Sequence, residues 1–105
     1  MGLSKTYEDV SRARFSCMKS RARARVQSFA SAHHYQIAKW EVPDGDHGRC
    51  HVVLRSVNGK KPDLDFVVQF NRNGERLKIE VIRMPAFISS SRAIKQVDQV
   101  YQSCG

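Results

Sequence analysis

The feature that most constrains this chain is a change of rhythm at His34. Before it, residues Thr6 to His33 run without a single Pro or Gly and are rich in Ala, Arg, Ser and Gln, the composition of a helix of several turns. After it, short apolar runs alternate with turn signals. At about 100° per residue, Tyr7, Ser11, Phe15, Met18, Ala22, Val26 and Phe29 share one stripe, the face expected to pack on a core. Thr6, with Asp9 three residues on, is the expected cap.

The apolar runs are Tyr35 to Val42, Arg49 to Val57, Asp63 to Phe70 and Leu77 to Arg83, each with the length and the β-branched or aromatic content of a strand. Pro43-Asp44-Gly45, Val57-Asn58-Gly59-Lys60 and Asn71-Arg72-Asn73-Gly74 separate them, and Asn-Gly steps suit the positive φ of tight hairpins. Consecutive hairpins make an antiparallel meander. In the last two runs Leu64, Phe66, Val68 and Phe70 fall on one face, as do Leu77, Ile79 and Val81, so one side of the sheet must be covered. A second helix supplies part of that cover. Pro85 ends the fourth strand, Ser89, Ser90 and Ser91 offer caps, and Ile94, Val97, Tyr101 and Cys104 recur at helical spacing.

These patterns predict one α+β domain over residues 1–105: a four-stranded antiparallel meander sheet with the N-terminal and C-terminal helices packed on one face, in the order α-β-β-β-β-α. The expected core is Phe15, Met18, Val26, Phe29, Leu64, Phe66, Val68, Phe70, Leu77, Ile79, Val81, Ile94, Val97 and Tyr101. Alternation leaves Trp40 open between core residue and exposed anchor. With 105 residues, a multi-domain enzyme is excluded. No window reaches the ~18 apolar residues of a membrane span, and no secretory signal is evident, so the expectation is a soluble, cytoplasmic protein. The odd number of cysteines, Cys17, Cys50 and Cys104, reads as free buried thiols rather than a disulfide framework.

Charge carries the functional signal. There are 18 Lys or Arg against 10 Asp or Glu, a net +8. On the first helix Arg14, Arg21 and Arg25 line one flank of the apolar stripe, and Arg12, Lys19 and Arg23 line the other. No acidic residue interrupts them, whereas an ordinary solvated helix face mixes signs. Arg suits bidentate phosphate or carboxylate contacts. The remaining face, Ala13, Ser16, Cys17, Ser20, Ala24, Gln27, Ser28 and Ser31, is small and uncharged, which admits close approach of a nucleic-acid backbone or of a second copy in a homodimer. The expectation is a non-enzymatic module gripping nucleic acid, DNA or RNA, through Arg12, Arg14, Lys19, Arg21, Arg23 and Arg25. The alternative is a regulator or inhibitor that occupies an acidic or nucleic-acid-binding groove on a partner protein.

Other constellations are weaker. The order of elements is reminiscent of the α-β-β-β-α double-stranded RNA-binding domain, but only Arg92 and Lys95 stand where that family carries a lysine cluster. His47, Cys50 and His51 supply at most three zinc ligands, and Cys50 and His51 should point to opposite faces of a strand, Cys50 buried and His51 exposed. Asp44 with Asp46 and Asp63 with Asp65 are paired acids. Pro62-Asp63 followed by Glu75-Arg76-Leu77-Lys78 loosely resembles the Pro-Asp…Glu-x-Lys signature of restriction-type nucleases, with one residue too many between Glu75 and Lys78. Met1-Gly2-Leu3-Ser4-Lys5-Thr6 fits the N-myristoylation pattern. No metal or other cofactor is expected.

Overall fold

A computed structural model describes residues 3–105. Gly2, the residue a lipid would acylate, lies outside the described residues. The elements in chain order are β1 (Ser4–Tyr7), α1 (Arg12–Ala32), β2 (Tyr35–Glu41), β3 (His47–Ser56), β4 (Leu64–Asn73), β5 (Arg76–Arg83) and α2 (Ser90–Ser103). The fold is α+β, with one antiparallel sheet of five strands in the order β1-β5-β4-β3-β2. The order of β2 to β5 is the expected meander, but of the two Asn-Gly steps only Asn73-Gly74 makes a tight hairpin; Asn58-Gly59 lies in a seven-residue loop between Ser56 and Leu64. The fifth strand corrects the expected count: Ser4-Lys5-Thr6-Tyr7 pairs with β5, Ser4 opposite Glu80 and Tyr7 opposite Leu77.

That strand also corrects the start of the first helix. Tyr7 belongs to β1, Asp9 takes a left-handed turn at φ 59°, and Ser11 is the N-cap, its side chain accepting from Arg14 N at 3.1 Å. The helix ends without glycine. His33 donates its N–H to the carbonyls of Phe29 and Ala30, and His34 then turns left-handed at φ 62°, a conformation that His tolerates better than most residues. At the other end of the chain Ser89 caps α2, accepting from Arg92 N.

Both helices lie on one side of the sheet. Phe15 and Met18 of α1 and Ile94 and Val100 of α2 are buried against Phe70, Leu77, Ile79 and Val81, together with Tyr7 and Val10. The far half of α1 covers β2 and β3, where Ala30, Tyr35, Val52, Leu54 and Leu64 form a second buried cluster. Of the expected core, Val26, Phe29, Phe66, Val68, Val97 and Tyr101 are only half-buried and border these clusters. Val97 cedes its place to Val100, because the α2 stripe is centred on Ile94 and Val100.

The opposite sheet face carries no helix, although Val67 on it is buried, and two bulges shape it. Ile37 pairs with Leu54 but Lys39 with Val53, which makes Ala38 the extra residue in β2. Val67 pairs with Arg83 but Val68 with Val81, which makes Ile82 extra in β5. Ion pairs lie across this face. Lys39 meets Glu41 at 3.3 Å, His51 meets Asp65 at 2.9 Å, and Arg83 meets Asp65 at 3.1 Å. His51 is therefore half-buried and paired, where full exposure is expected from the sequence.

Two connections rest on glycine. Gly74 opens the two-residue β4–β5 turn at φ 67°, a region that side chains other than Gly seldom enter. At Gly48 a Cβ would come within 2.7 Å of Pro43 Cγ, so the start of β3 can lie against the β2–β3 loop only without a side chain.

The cysteines give the largest correction. Cys17 of α1 and Cys104 form a disulfide across 87 residues of sequence, with Cα atoms 6.0 Å apart, and only Cys50 is free. Wide spacing and an odd count conceal this pair, because proximity comes from α2 folding back along α1. No helix among the described residues is long and apolar enough to cross a membrane.

Candidate nucleic-acid interface

Six of the eighteen Lys and Arg residues lie on α1, which carries no Asp or Glu. The other 12 face 10 carboxylates, so six of the net +8 charges sit on one helix. Six of the ten carboxylates are engaged elsewhere: Glu8 with Arg76, Glu41 with Lys39, Asp46 with Arg72, Asp63 with Arg55, Asp65 with Arg83 and His51, and Asp98 with Lys5. Among the described residues none of the six α1 cations forms an ion pair.

The two expected flanks exist, but their members differ in what they do. The Arg14, Arg21 and Arg25 flank faces α2. Arg14 is turned inward: Nη1 donates to Asp9 O, Nη2 donates to Tyr101 O at 2.8 Å, and the guanidinium lies 3.7 Å from the centre of the Tyr101 ring. Arg25 is exposed and reaches across to Gln96 Oε1 at 3.0 Å and Gln99 Oε1 at 2.9 Å. Arg21 is exposed and makes no hydrogen bond or ion pair among the described residues. A groove of about 570 Å³ runs between the helices, lined by Arg25, Lys95, Asp98, Gln99, Gln102 and Ser103. Lys95 thus joins the cationic flank from α2, a residue that the helical wheel of α1 alone does not reveal.

The Arg12, Lys19 and Arg23 flank faces β2 and the β2–β3 loop. Lys19 is a structural cation. Its Nζ donates to Pro43 O at 2.7 Å and Gly45 O at 3.0 Å and sits over the rings of Phe15 and Phe70. Arg23 is exposed and lies over the Trp40 ring, 5.1 Å from its centre. Arg12 is exposed and lines a groove of about 470 Å³ with Ser16, Lys19, Asp44, Gly45 and Asp46, where the two acids weaken the positive field. Four outward cations therefore remain, Arg12, Arg21, Arg23 and Arg25, while Arg14 and Lys19 hold neighbouring elements. Between the flanks Ala13, Ser16, Ser20, Ala24, Gln27, Ser28 and Ser31 are all exposed, as the wheel predicts. Cys17 leaves that face for its bridge to Cys104.

The weaker constellations separate in space. Among the described residues no three His, Cys, Asp or Glu side chains converge in a metal-binding group. Cys50 lies on the helix side of β3, where burial pushes its thiol up to about 11 against a small lowering by Lys19, so it is a poor nucleophile. His51 points to the face without a helix. Asp63 pairs with Arg55 and Asp46 with Arg72, while Glu75 sits in the β4–β5 turn and Lys78 on β5 opposite Thr6. The most perturbed acid is structural. Asp98 accepts from Lys5 Nζ and Tyr7 Oη, each at 2.7 Å, which holds its carboxyl below the usual range. Burial, reinforced by Asp98, raises the Tyr7 phenol well above its ordinary value. This cluster clamps α2 to β1.

Set against protein-family models, curated proteins and solved structures, the chain matches none.

Proposed function

We propose that this chain is a non-enzymatic binding protein whose helix α1 grips the phosphate backbone of nucleic acid through Arg12, Arg21, Arg23 and Arg25. The observation that carries the reading is the separation of charge: six of the ten carboxylates are paired with cations outside α1, and among the described residues none forms an ion pair with an α1 cation. Repulsion alone does not demand a ligand. The i, i+4 pairs Lys19 with Arg23 and Arg21 with Arg25 cost only about 0.2–0.5 kcal/mol each, which the packing of Phe15 and Met18 outweighs. What supports the reading is that four guanidiniums without an ion-pair partner among the described residues stand in two pairs, Arg12 with Arg23 and Arg21 with Arg25, on the two flanks of the exposed face of α1, where each pair can meet phosphates.

Arg14 and Lys19 add to the field of the helix without touching the ligand. The Cys17–Cys104 bridge counts against the cytoplasmic setting expected from the sequence, because disulfides persist in oxidising compartments. Gel retardation with arbitrary sequence at low salt tests the proposal. Four phosphate contacts predict a loss of affinity on the order of 100-fold between about 50 and 200 mM salt, and Arg21→Glu with Arg25→Glu should weaken binding at every salt concentration. An absence of retardation at low salt, or retardation indifferent to salt, overturns it.

A further inference from the structure

The geometry points to the Arg23 and Trp40 pair as a stacking site for an unpaired nucleobase, so that the polyanion held by α1 is a single strand. The inference rests on the polyanion reading and adds recognition of a base to that of the backbone.

Trp40 is the only tryptophan in the chain and stands on β2, the last strand of the sheet order. It pairs with Val52 on the side that faces α1 and is half-buried at the margin of the second core cluster. The Arg23 guanidinium lies over the indole at the flank of the helix, 5.1 Å from its centre, and Arg23 is itself exposed. Among the described residues no carboxylate pairs with Arg23, and the indole is its neighbour. A planar cation resting on an aromatic ring and exposed to solvent is a platform, because unpaired bases stack on both indole rings and guanidinium planes. Bases inside a duplex have both faces occupied and cannot use it.

Two neighbouring features suit a strand. Among the described residues β2 has no partner along its outer edge, which leaves backbone donors and acceptors beside Trp40 for the polar rim of a base. Arg12 lies eleven residues before Arg23 on the same flank, about 16 Å along the helix axis, so the backbone leaving the platform meets a second free guanidinium.

The test is a titration at low salt with oligothymidine, oligouridine, a duplex of equal length and inorganic polyphosphate, following both affinity and the fluorescence of Trp40. Both single strands should quench the fluorescence and bind tighter than the duplex by on the order of 10-fold, and polyphosphate should bind without quenching. Quenching by either strand supports the platform, and the tighter of the two identifies the sugar. Arg23→Lys keeps the charge and removes the plane: it should weaken single-strand binding several-fold, leave the salt slope unchanged and leave polyphosphate binding untouched. Equal binding of duplex and single strand with unmoved fluorescence overturns the stacking site and leaves the polyanion reading standing. If none of the four ligands binds, the polyanion reading falls and the platform with it.

Discussion

Arg72 reaches Asp46 with two of its nitrogens, Nε and Nη2 each lying 3.0 Å from the same carboxylate oxygen. The Arg72 side chain is only 9% exposed, and its third nitrogen donates to Val10 O and Gly74 O. One guanidinium thus joins the β2–β3 loop, the β1–α1 corner and the β4–β5 turn. Removing it strands several acceptors, one of them charged. Arg72→Met should lower the stability to urea by about 2–4 kcal/mol with an unchanged denaturant slope. A loss below about 0.5 kcal/mol would show the junction to be ornamental.

Alanine substitutions should divide the α1 cations into two groups. Arg14→Ala and Lys19→Ala remove charged hydrogen bonds to partly buried carbonyls and should each destabilise the fold by about 1–3 kcal/mol. Arg12→Ala and Arg21→Ala should leave stability within about 0.5 kcal/mol and reduce the salt slope of nucleic-acid binding by about one each. Thermal melts and salt titrations on the same four variants decide it.

The bridge between Cys17 and Cys104 closes most of the chain into a loop. Chain entropy sets its ceiling at roughly 4–5 kcal/mol for a loop of this length, and about 2–4 kcal/mol is expected. Urea unfolding with and without reductant should show this difference, and Cys17→Ser with Cys104→Ser should abolish it. Cys50, with its thiol pushed up to about 11, should stay unlabelled by alkylating reagents at neutral pH in the oxidised native protein.

Asp98 and Tyr7 bound the stable pH window from opposite sides. Asp98 titrates lower in the folded state than when free, so its contribution is complete above about pH 4 and is lost as pH falls through the depressed folded value. Tyr7 titrates higher when folded, so its contribution is complete below about pH 10 and is lost as pH rises toward the raised value. Asp98→Asn should flatten the acid limb of a stability profile. A spectroscopic titration should show one of the three tyrosines ionising only as the protein unfolds in alkali.

The legible parts of this fold are those written in local pattern. Asn73-Gly74 marks the β4–β5 hairpin, and Leu77, Ile79 and Val81 mark the covered face of β5, because turn chemistry and alternation act over a few residues. Ser4-Lys5-Thr6-Tyr7 has neither signal, and its strand exists because β5 offers a free edge. The site divides in the same way. A helical wheel places all six cations correctly around α1, but it treats them as equivalent. Arg14 and Lys19 turn inward because Tyr101 O and Pro43 O wait on elements distant in sequence. Lys95, Trp40 and Cys104 come to α1 by the same non-local route, and only the folded chain shows them beside it.

The pairing of β1 with β5 has a consequence for synthesis. Tyr7 leaves the ribosome some seventy residues ahead of Leu77, its partner, and at about 5–20 residues per second that is a wait of roughly 4–15 s. During that interval residues 12–32, with their cations and with Phe15 and Met18, have no β5 to pack against. Closing the sheet is thus a late event, and the six cations of α1 are made before any of the strands β2 to β5.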